Sequence, residues 1–216
     1  MDDITLKKTE DQSTTLYSKR YNEHYHSTFG AKNESQHIFI DAGLKQIEKQ
    51  NISIFEMGLG TGLNALLSYI YAKEKNKYIK YFSVEKHPLN MDVISKLNYT
   101  SDKLDIFELM HSSNWNKETK IDSNFYLTKT EADITEYIHQ NNYDLVYYDA
   151  FSPDIQGELW STEIFKAIFD KMNKNGILMT YSVKGIVKRA IKAAGFRIEK
   201  IPGPKGKREI LRAFKD

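Results

Sequence analysis

From Asn51 onward the chain alternates short apolar runs with longer stretches of helical periodicity five times in succession, and this alternation narrows its possible folds more than any other feature. The runs Ile52 to Glu56, Ile79 to Val84, Phe125 to Thr128, Leu145 to Tyr148 and Ile177 to Tyr181 predict strands. Leu63 to Ala72, Leu89 to Leu97, Ile134 to Gln140, Thr162 to Met172 and Lys184 to Ala194 predict the helices that follow them. Strands joined by helical crossovers pair in parallel and are covered on both faces. Phe196 to Ile201 and Glu209 to Phe214 are strand-like with only a Pro/Gly turn between them, which predicts an antiparallel hairpin at one edge. The expected fold class is α/β: a doubly wound, mostly parallel, Rossmann-like sheet of seven strands with an antiparallel C-terminal strand.

Before Asn51 the polar cluster Thr9 to Thr14 separates two strand-like runs and predicts a hairpin. Ile38, Phe39, Ala42 and Ile47 give helical spacing to residues 35–49. Residues 1–50 therefore read as an N-terminal extension packed on a main domain at 51–216. Residues 98–124 carry no pattern that assigns an element.

The 216 residues suit one main core. Thirty-one Lys and Arg against 29 Asp and Glu exclude a uniformly basic coat protein or an acidic tail. Without cysteine there is no disulfide scaffold, thiolate zinc site or thiol nucleophile, and a reducing cytoplasm is the expected setting. The start lacks a basic-then-apolar leader, and no stretch reaches the roughly 20 apolar residues of a membrane span.

The first strand runs into Phe55-Glu-Met-Gly-Leu-Gly-Thr-Gly-Leu-Asn64. Gly58, Gly60 and Gly62 between a strand and a helix start allow a tight turn and close approach of a ligand to the helix N-terminus. Leu63 stands where the dinucleotide fingerprint would need its last glycine. Glu56 would repel a pyrophosphate and attract a cation, and the sulfonium and amino group of S-adenosylmethionine are such cations. Leu63 and Asn64, opening the helix, belong to the same candidate cofactor site; a purely structural glycine turn is the alternative. Glu85 ends the next strand, where an acid accepts hydrogen bonds from ribose hydroxyls in doubly wound folds, unless it is an ordinary surface acid. Asp133, after the third strand, suits the adenine amino group, with Glu131 or Asp122 as other candidates.

Tyr147-Tyr-Asp-Ala-Phe-Ser-Pro153 leaves the carboxyl end of the fourth strand, where open sheets bind ligands. Asp149 should face that crevice, or else cap its own turn. Residues 184–215 hold eleven Lys or Arg against Glu199 and Glu209, which makes the C-terminal quarter a basic face. Solvated helix charge accounts equally well for Lys184, Lys188, Arg189 and Lys192. Lys205-Gly-Lys-Arg208 is better placed for phosphates, because glycine lets the backbone approach and Arg208 offers a fork. His24 and His26 lack partner acids at ligand spacing, so no metal site is expected.

Together these residues resemble the methyltransferase domain of the bifunctional tRNA 5-methylaminomethyl-2-thiouridine biosynthesis proteins, MnmC, and its stand-alone relatives. The likeness rests on Asn22-Glu-His-Tyr-His-Ser27 with Gly30, Glu34-Ser-Gln-His-Ile-Phe39, the glycine loop and Val84-Glu-Lys-His-Pro-Leu89. It continues through Asp149-Ala-Phe-Ser-Pro153, Glu158-Leu-Trp160, Val187-Lys-Arg-Ala190 with Gly195-Phe196, and Gly203 to Glu209. The resemblance implies a class I methyltransferase fold and methyl transfer from S-adenosylmethionine to the aminomethyl group of a wobble uridine in tRNA, in the anticodon stem-loop. The flavin oxidase part of the bifunctional protein has no counterpart in these residues, so a ready-made aminomethyl uridine is the expected substrate. Asp149 would orient the amine or take its proton. The flipped-out uridine would lie between Tyr25, Phe151 or Trp160, with Tyr25, His26 and Ser27 closing over it and Lys205, Lys207 and Arg208 meeting phosphates. Packing accounts almost equally well for Trp160. The rival readings are a polyamine synthase-like amine transferase and a non-catalytic tRNA or nucleotide-binding module.

Overall fold

A computed structural model describes residues 4–137 and 140–216. β1 (Ile4–Lys8) and β2 (Thr14–Ser18) form the predicted hairpin, Lys8 facing Thr14, and β3 (Glu23–His24) extends it to a three-stranded antiparallel sheet. Asp11 organises the turn: its carboxylate accepts the Thr9 hydroxyl at 2.6 Å and the Ser13 N–H at 3.0 Å, and it reaches the Asn33 N–H at 2.9 Å.

The helix predicted over 35–49 starts earlier and is interrupted. α1 (Ala31–Ser35) passes into a π-helical turn at Gln36–Asp41, and a 3₁₀ turn follows at Leu44–Gln46. Gly43 causes the break: a Cβ there would lie 2.6 Å from the Phe39 carbonyl oxygen and 2.8 Å from Met179, so the chain turns where it presses on the sheet.

The main sheet is built from β4 (Asn51–Met57), β5 (Tyr78–Glu85), β6 (Lys117–Asp122), β7 (Phe125–Glu131), β8 (Tyr143–Tyr148), β9 (Met172–Thr180), β10 (Arg197–Pro202) and β11 (Glu209–Lys215). Its order is β10-β11-β9-β8-β4-β5-β7-β6. The five central strands are parallel; β11 runs antiparallel between β9 and β10. α2 (Leu63–Glu74), α5 (Thr162–Lys171) and α6 (Gly185–Ala193) fall where the periodicity predicts helices.

Three expectations change. The helix of Leu89–Leu97 is one turn, α3 (Met91–Ile94), with Asn90 accepting the Val93 N–H at 3.0 Å as its cap. Residues 134–136 form a turn, because Asp133 accepts the Thr135 N–H at 2.9 Å; residues 138 and 139 of that predicted helix lie outside the described residues. The unassigned segment 98–124 holds α4 (Leu104–Ser112) and β6, an eighth strand beyond the seven expected, antiparallel to β7. Ile121 is the buried residue of β6, so the alternation that marks a half-buried strand is absent.

Successive residues of β8 enter opposite cores: Leu145 and Tyr147 pack with Ile54, Leu66 and Tyr81, whereas Val146 and Tyr148 pack with Phe55, Trp160 and Phe165. Burying each such side chain contributes about 1.5–3 kcal/mol before entropy is subtracted. From β4 the chain goes to β5 on one side and later returns to β8 on the other, so the strand order reverses beside β4. The carboxyl ends of β4, β5 and β8 open together at that switch point.

Candidate active site

The loop after β4 is strapped down from both sides. Gly60 donates its N–H to Glu85 Oε2 at 3.0 Å, and His87 donates to Glu85 Oε1 at 2.8 Å. Glu85, ending β5, thus fixes the loop while lone pairs of both oxygens remain for further donors. His111 Nε2 donates to the Thr61 carbonyl at 3.1 Å, and the Thr61 hydroxyl lies 2.7 Å from His26 Nε2. Burial holds both imidazoles down to about 4, so they are neutral at pH 7. Gly60 has φ of 49°, and a Cβ there would stand 3.3 Å from the Tyr25 ring.

Glu56 is fully buried beneath this loop, and among the described residues its Oε2 has no hydrogen-bond partner. Burial pushes its pKa well above the usual carboxylate value and the Asp149 charge adds to that, while Asn64, Tyr81 and Ser83 pull it back. Burial thus favours its neutral form, and a cation bound beside it would favour the carboxylate.

Asp149 follows β8 directly. Asn64 donates from Nδ2 to Asp149 Oδ2 at 2.9 Å, so the carboxylate binds a side chain of α2 and not the backbone of its own turn. That turn is held instead by Glu23, which accepts the Ser152 N–H at 2.9 Å, and by Tyr181, whose hydroxyl donates to the Ala150 carbonyl at 2.9 Å. Burial and the nearby Glu34 carboxylate push Asp149 up to about 7, against the opposing pull of Asn64 and Lys207.

These groups line one cleft of about 760 Å³. Glu56, Gly58, Gly60, Leu63, Asn64 and Glu85 line its loop side, with Asp133 at the far rim. Tyr25, His26, Ser27, Asp149, Phe151 and Lys207 line the other end. Phe151 is stacked on Tyr21 with ring centroids 4.5 Å apart and meets Tyr25 edge-on at 5.0 Å. Asp133 accepts Lys86 Nζ at 2.5 Å and the Thr135 N–H, contacts that hold it down to about 2. Of the alternatives, Asp122 pairs with Lys73 at 2.8 Å and with Tyr69 away from the cleft, and Glu131 is exposed outside it.

Four predicted residues stand elsewhere. Gly62 turns its free face to His111. Trp160, expected against the base, is 2% exposed: its indole N–H donates to the Phe151 carbonyl at 2.9 Å, and its ring packs on Tyr148 and Tyr181. It is a core residue, because an indole with its one donor satisfied gains more from burial than from water. Lys205 pairs with Glu10 at 2.5 Å, so the basic turn is partly neutralised by the N-terminal hairpin, and Arg208 is exposed on its outer side. Lys207 points inward, to Glu34 Oε1 at 2.6 Å. The sequence reading assigned no role to Glu34, Glu23, Tyr21 or His111. Glu34 and Glu23 lie inside quoted motifs, which was the one available signal; His111 sits in the segment without pattern.

Residues 95–216 match a family described as S-adenosyl-L-methionine-dependent methyltransferase. The tRNA 5-methylaminomethyl-2-thiouridine biosynthesis bifunctional protein MnmC of Cupriavidus metallidurans is 28% identical over 213 residues, 91% of this chain and 32% of that protein. The MnmC of Nitrosospira multiformis is 29% identical, over 93% of this chain and 35% of its own length. The chain thus spans about a third of the length of these curated relatives. The crystal structure of MNMC2 from Aquifex aeolicus superposes with a TM-score of 0.79 at 24% identity, over 99% of this chain and 70% of that one. Spermidine synthase from Thermotoga maritima superposes at 0.65 and 16% identity, over 99% and 69%. At these identities the two structures speak for the fold, the doubly wound α/β class read from the alternation of strands and helices.

Proposed function

Because the chain belongs to the family of S-adenosyl-L-methionine-dependent methyltransferases, we propose that it methylates the exocyclic amine of 5-aminomethyl uridine, thiolated or not, at the wobble position of tRNA. The observation that carries this reading is Asp149: a cleft carboxyl with its pKa raised to about 7, hydrogen-bonded to the helix that follows the glycine loop, with a second acid, Glu34, acting on it. An acidic pocket at this end suits a cationic alkylamine. The names of the MnmC relatives point to the same acceptor.

The residues fit the cofactor. The unpartnered Glu56 oxygen offers an acceptor to its amino group, and Glu85 keeps lone pairs for its ribose hydroxyls. Gly58 and Gly60 let the loop backbone come close to a ligand, and Asp133 with Ile134 lines the rim where adenine would lie. When bound, the cofactor supplies an electrophilic methyl carbon on a sulfonium.

An alkylamine titrates near 10.4 and is almost wholly protonated at pH 7, so its lone pair is blocked. Asp149 accepts one of its protons as the closed cleft lowers that value, and then holds the neutral amine by a hydrogen bond. With its lone pair freed, the nitrogen would be positioned by Asp149 for in-line attack on that methyl carbon, the thioether being the leaving group; Asp149, once it has passed the first proton to solvent, would accept the second from the methylated nitrogen. Tyr25 and Phe151 hold the base, which must leave its stack to enter. Orientation of this kind supplies about 7–11 kcal/mol of barrier lowering.

We further assign residues 1–50 as an extension that covers the substrate end of the 51–216 domain. Arg208 and the exposed Arg189 and Lys192 of α6 meet tRNA phosphates of the anticodon stem-loop. The setting is cytoplasmic; among the described residues no helix is long and apolar enough to cross a membrane. The test is transfer of labelled methyl to bulk tRNA from cells lacking the modification, read by nucleoside mass spectrometry. Label at 5-aminomethyl uridine is expected. Cofactor binding without any label in tRNA rejects the acceptor and favours a small amine.

A further inference from the structure

Three carboxylates, Asp149, Glu23 and Glu34, act together on the Tyr181 hydroxyl, which burial and their charge hold above the usual phenol value. All three line the cleft. Glu34 is the least expected of them, because its side chain is 12% exposed and it faces inward from α1. Its Oε2 accepts the Ser27 N–H at 2.7 Å, and its Oε1 takes Lys207 Nζ at 2.6 Å. Lys207 arrives from the β10–β11 turn, and its ammonium stands 5.3 Å from the centre of the Tyr181 ring. A primary alkylammonium therefore already lies in the cleft, on a nearly buried carboxylate and beside an aromatic face.

A simple strut between the turn and the N-terminal hairpin does not account for this pair. That connection is already made outside the cleft by Lys205 with Glu10, and at the cleft's edge by Gly206, where a Cβ would come within 2.3 Å of the Phe29 ring. An inward ion pair adds desolvation cost to a join that already exists. It does place on Glu34 the same chemical group that an aminomethyl substrate carries.

We propose that Glu34 is a receptor carboxylate for the acceptor amine, and that Lys207 occupies it until the amine displaces it. The proposal rests on the reading of the acceptor as an alkylamine. Lys207 is then an internal competitor and a specificity device: a neutral substituent cannot displace a cation from a carboxylate, whereas an ammonium presented by an otherwise bound substrate can. The charged and titratable groups around the pair are Asp149, Glu23, Tyr181 and His26, the last neutral and influenced by both Glu34 and Lys207. Removing either partner therefore changes the field at Asp149 in opposite senses.

The test titrates 1-propylammonium, with 1-propanol as neutral control, into the full chain carrying S-adenosylhomocysteine, followed by NMR. Wild type is compared with Lys207→Met and Glu34→Gln, each checked for Tm and for S-adenosylhomocysteine affinity. Propylammonium should bind Lys207→Met about tenfold tighter and Glu34→Gln about tenfold weaker than wild type, the scale of one charge-assisted hydrogen bond. Propanol should not separate the three proteins. In the methyl-transfer assay the acidic limb should move up in pH for Lys207→Met and down for Glu34→Gln. Unchanged or weaker propylammonium binding in Lys207→Met overturns the proposal, as does a matched loss of Tm in both variants without opposite pH shifts. If Glu34→Gln fails to fold, Lys207→Met alone still decides. Failure of this ordering in an enzyme that methylates aminomethyl uridine removes Glu34 and leaves the function; the expected ordering without tRNA methylation removes the tRNA acceptor and keeps the amine site.

Discussion

The His111 imidazole lies against Gly62, its Nε2 2.5 Å from where a Cβ on that glycine would stand. The same nitrogen donates to the Thr61 carbonyl, and the fully buried Lys129 of β7 donates to the His111 carbonyl at 2.6 Å. The end of α4 thus holds the glycine loop from outside the cleft. Gly62 is constrained twice, by this contact and by φ of 72°. Gly62→Ala should lose about 2–4 kcal/mol in urea unfolding and weaken S-adenosylhomocysteine binding. Adding His111→Ala should return the steric share and leave the left-handed backbone cost of about 1–2 kcal/mol. A double variant no more stable than Gly62→Ala would show that backbone strain alone is at issue.

Glu85 serves both the loop and the proposed ribose site. Glu85→Gln keeps one acceptor oxygen, and Glu85→Ala keeps none. Calorimetry with S-adenosylhomocysteine should show a loss of about tenfold for Glu85→Gln and at least a hundredfold for Glu85→Ala, since hydrogen bonds to a charged group contribute about 1.5–3 kcal/mol each. Equal affinities in all three proteins would remove Glu85 from the cofactor site.

The fold was legible wherever one residue type repeats with a period. The apolar runs of β4, β5 and β8, buried on both faces and separated by helical stretches, are such patterns, and so is the turn that Gly203 and Pro204 impose between β10 and β11. Segment 98–124 was not, because β6 is an exposed edge and α4 buries only Phe107 and Met110, so neither buries enough to leave a period. The glycine-loop side of the cleft was legible because Gly58, Gly60, Glu56 and Glu85 lie at or just beyond strand ends, where position along the chain implies position in space. The end lined by Glu34 and Lys207 was not. Glu34 meets Lys207 across 173 residues, and no local pattern encodes such a contact. Trp160 shows the converse error: an aromatic next to a functional loop looks the same in sequence whether its ring faces the ligand or the core.

Asp149 is held at about 7 by burial and by Glu34, which makes the pH dependence of the reaction specific. The carboxylate form is needed to take the proton, so kcat/KM should rise with pH through an apparent value near 7 in the free enzyme. A bound sulfonium favours the carboxylate, so the corresponding limb of kcat should lie lower. Asp149→Asn should lower kcat by about 10²–10⁴ while S-adenosylhomocysteine affinity changes by less than about tenfold. A variant retaining full kcat would leave Asp149 without a part in the chemistry.

The same shift has a consequence for folding. Between pH 4.5 and 6.5 the unfolded chain ionises Asp149, whereas the folded chain keeps it protonated until about 7. The folded state then binds the extra proton, so Asp149 makes stability fall as pH rises through this window. His26 and His111 act the other way. Their folded values near 4 lie below the usual 6.5, so the unfolded chain takes up the protons and stability is lost as pH falls from 6.5 towards 4. Opposed contributions of this kind flatten the profile of the wild type, and variants should unmask them. Asp149→Asn should steepen the slope by about 1.4 kcal/mol per pH unit, with stability rising more sharply with pH, and His111→Gln should reduce it by a similar amount. Urea unfolding at pH 4.5, 5.5 and 6.5 measures both. Parallel profiles for wild type and Asp149→Asn would mean that the carboxyl is not held protonated by the fold, and the proposed base would then have an ordinary pKa.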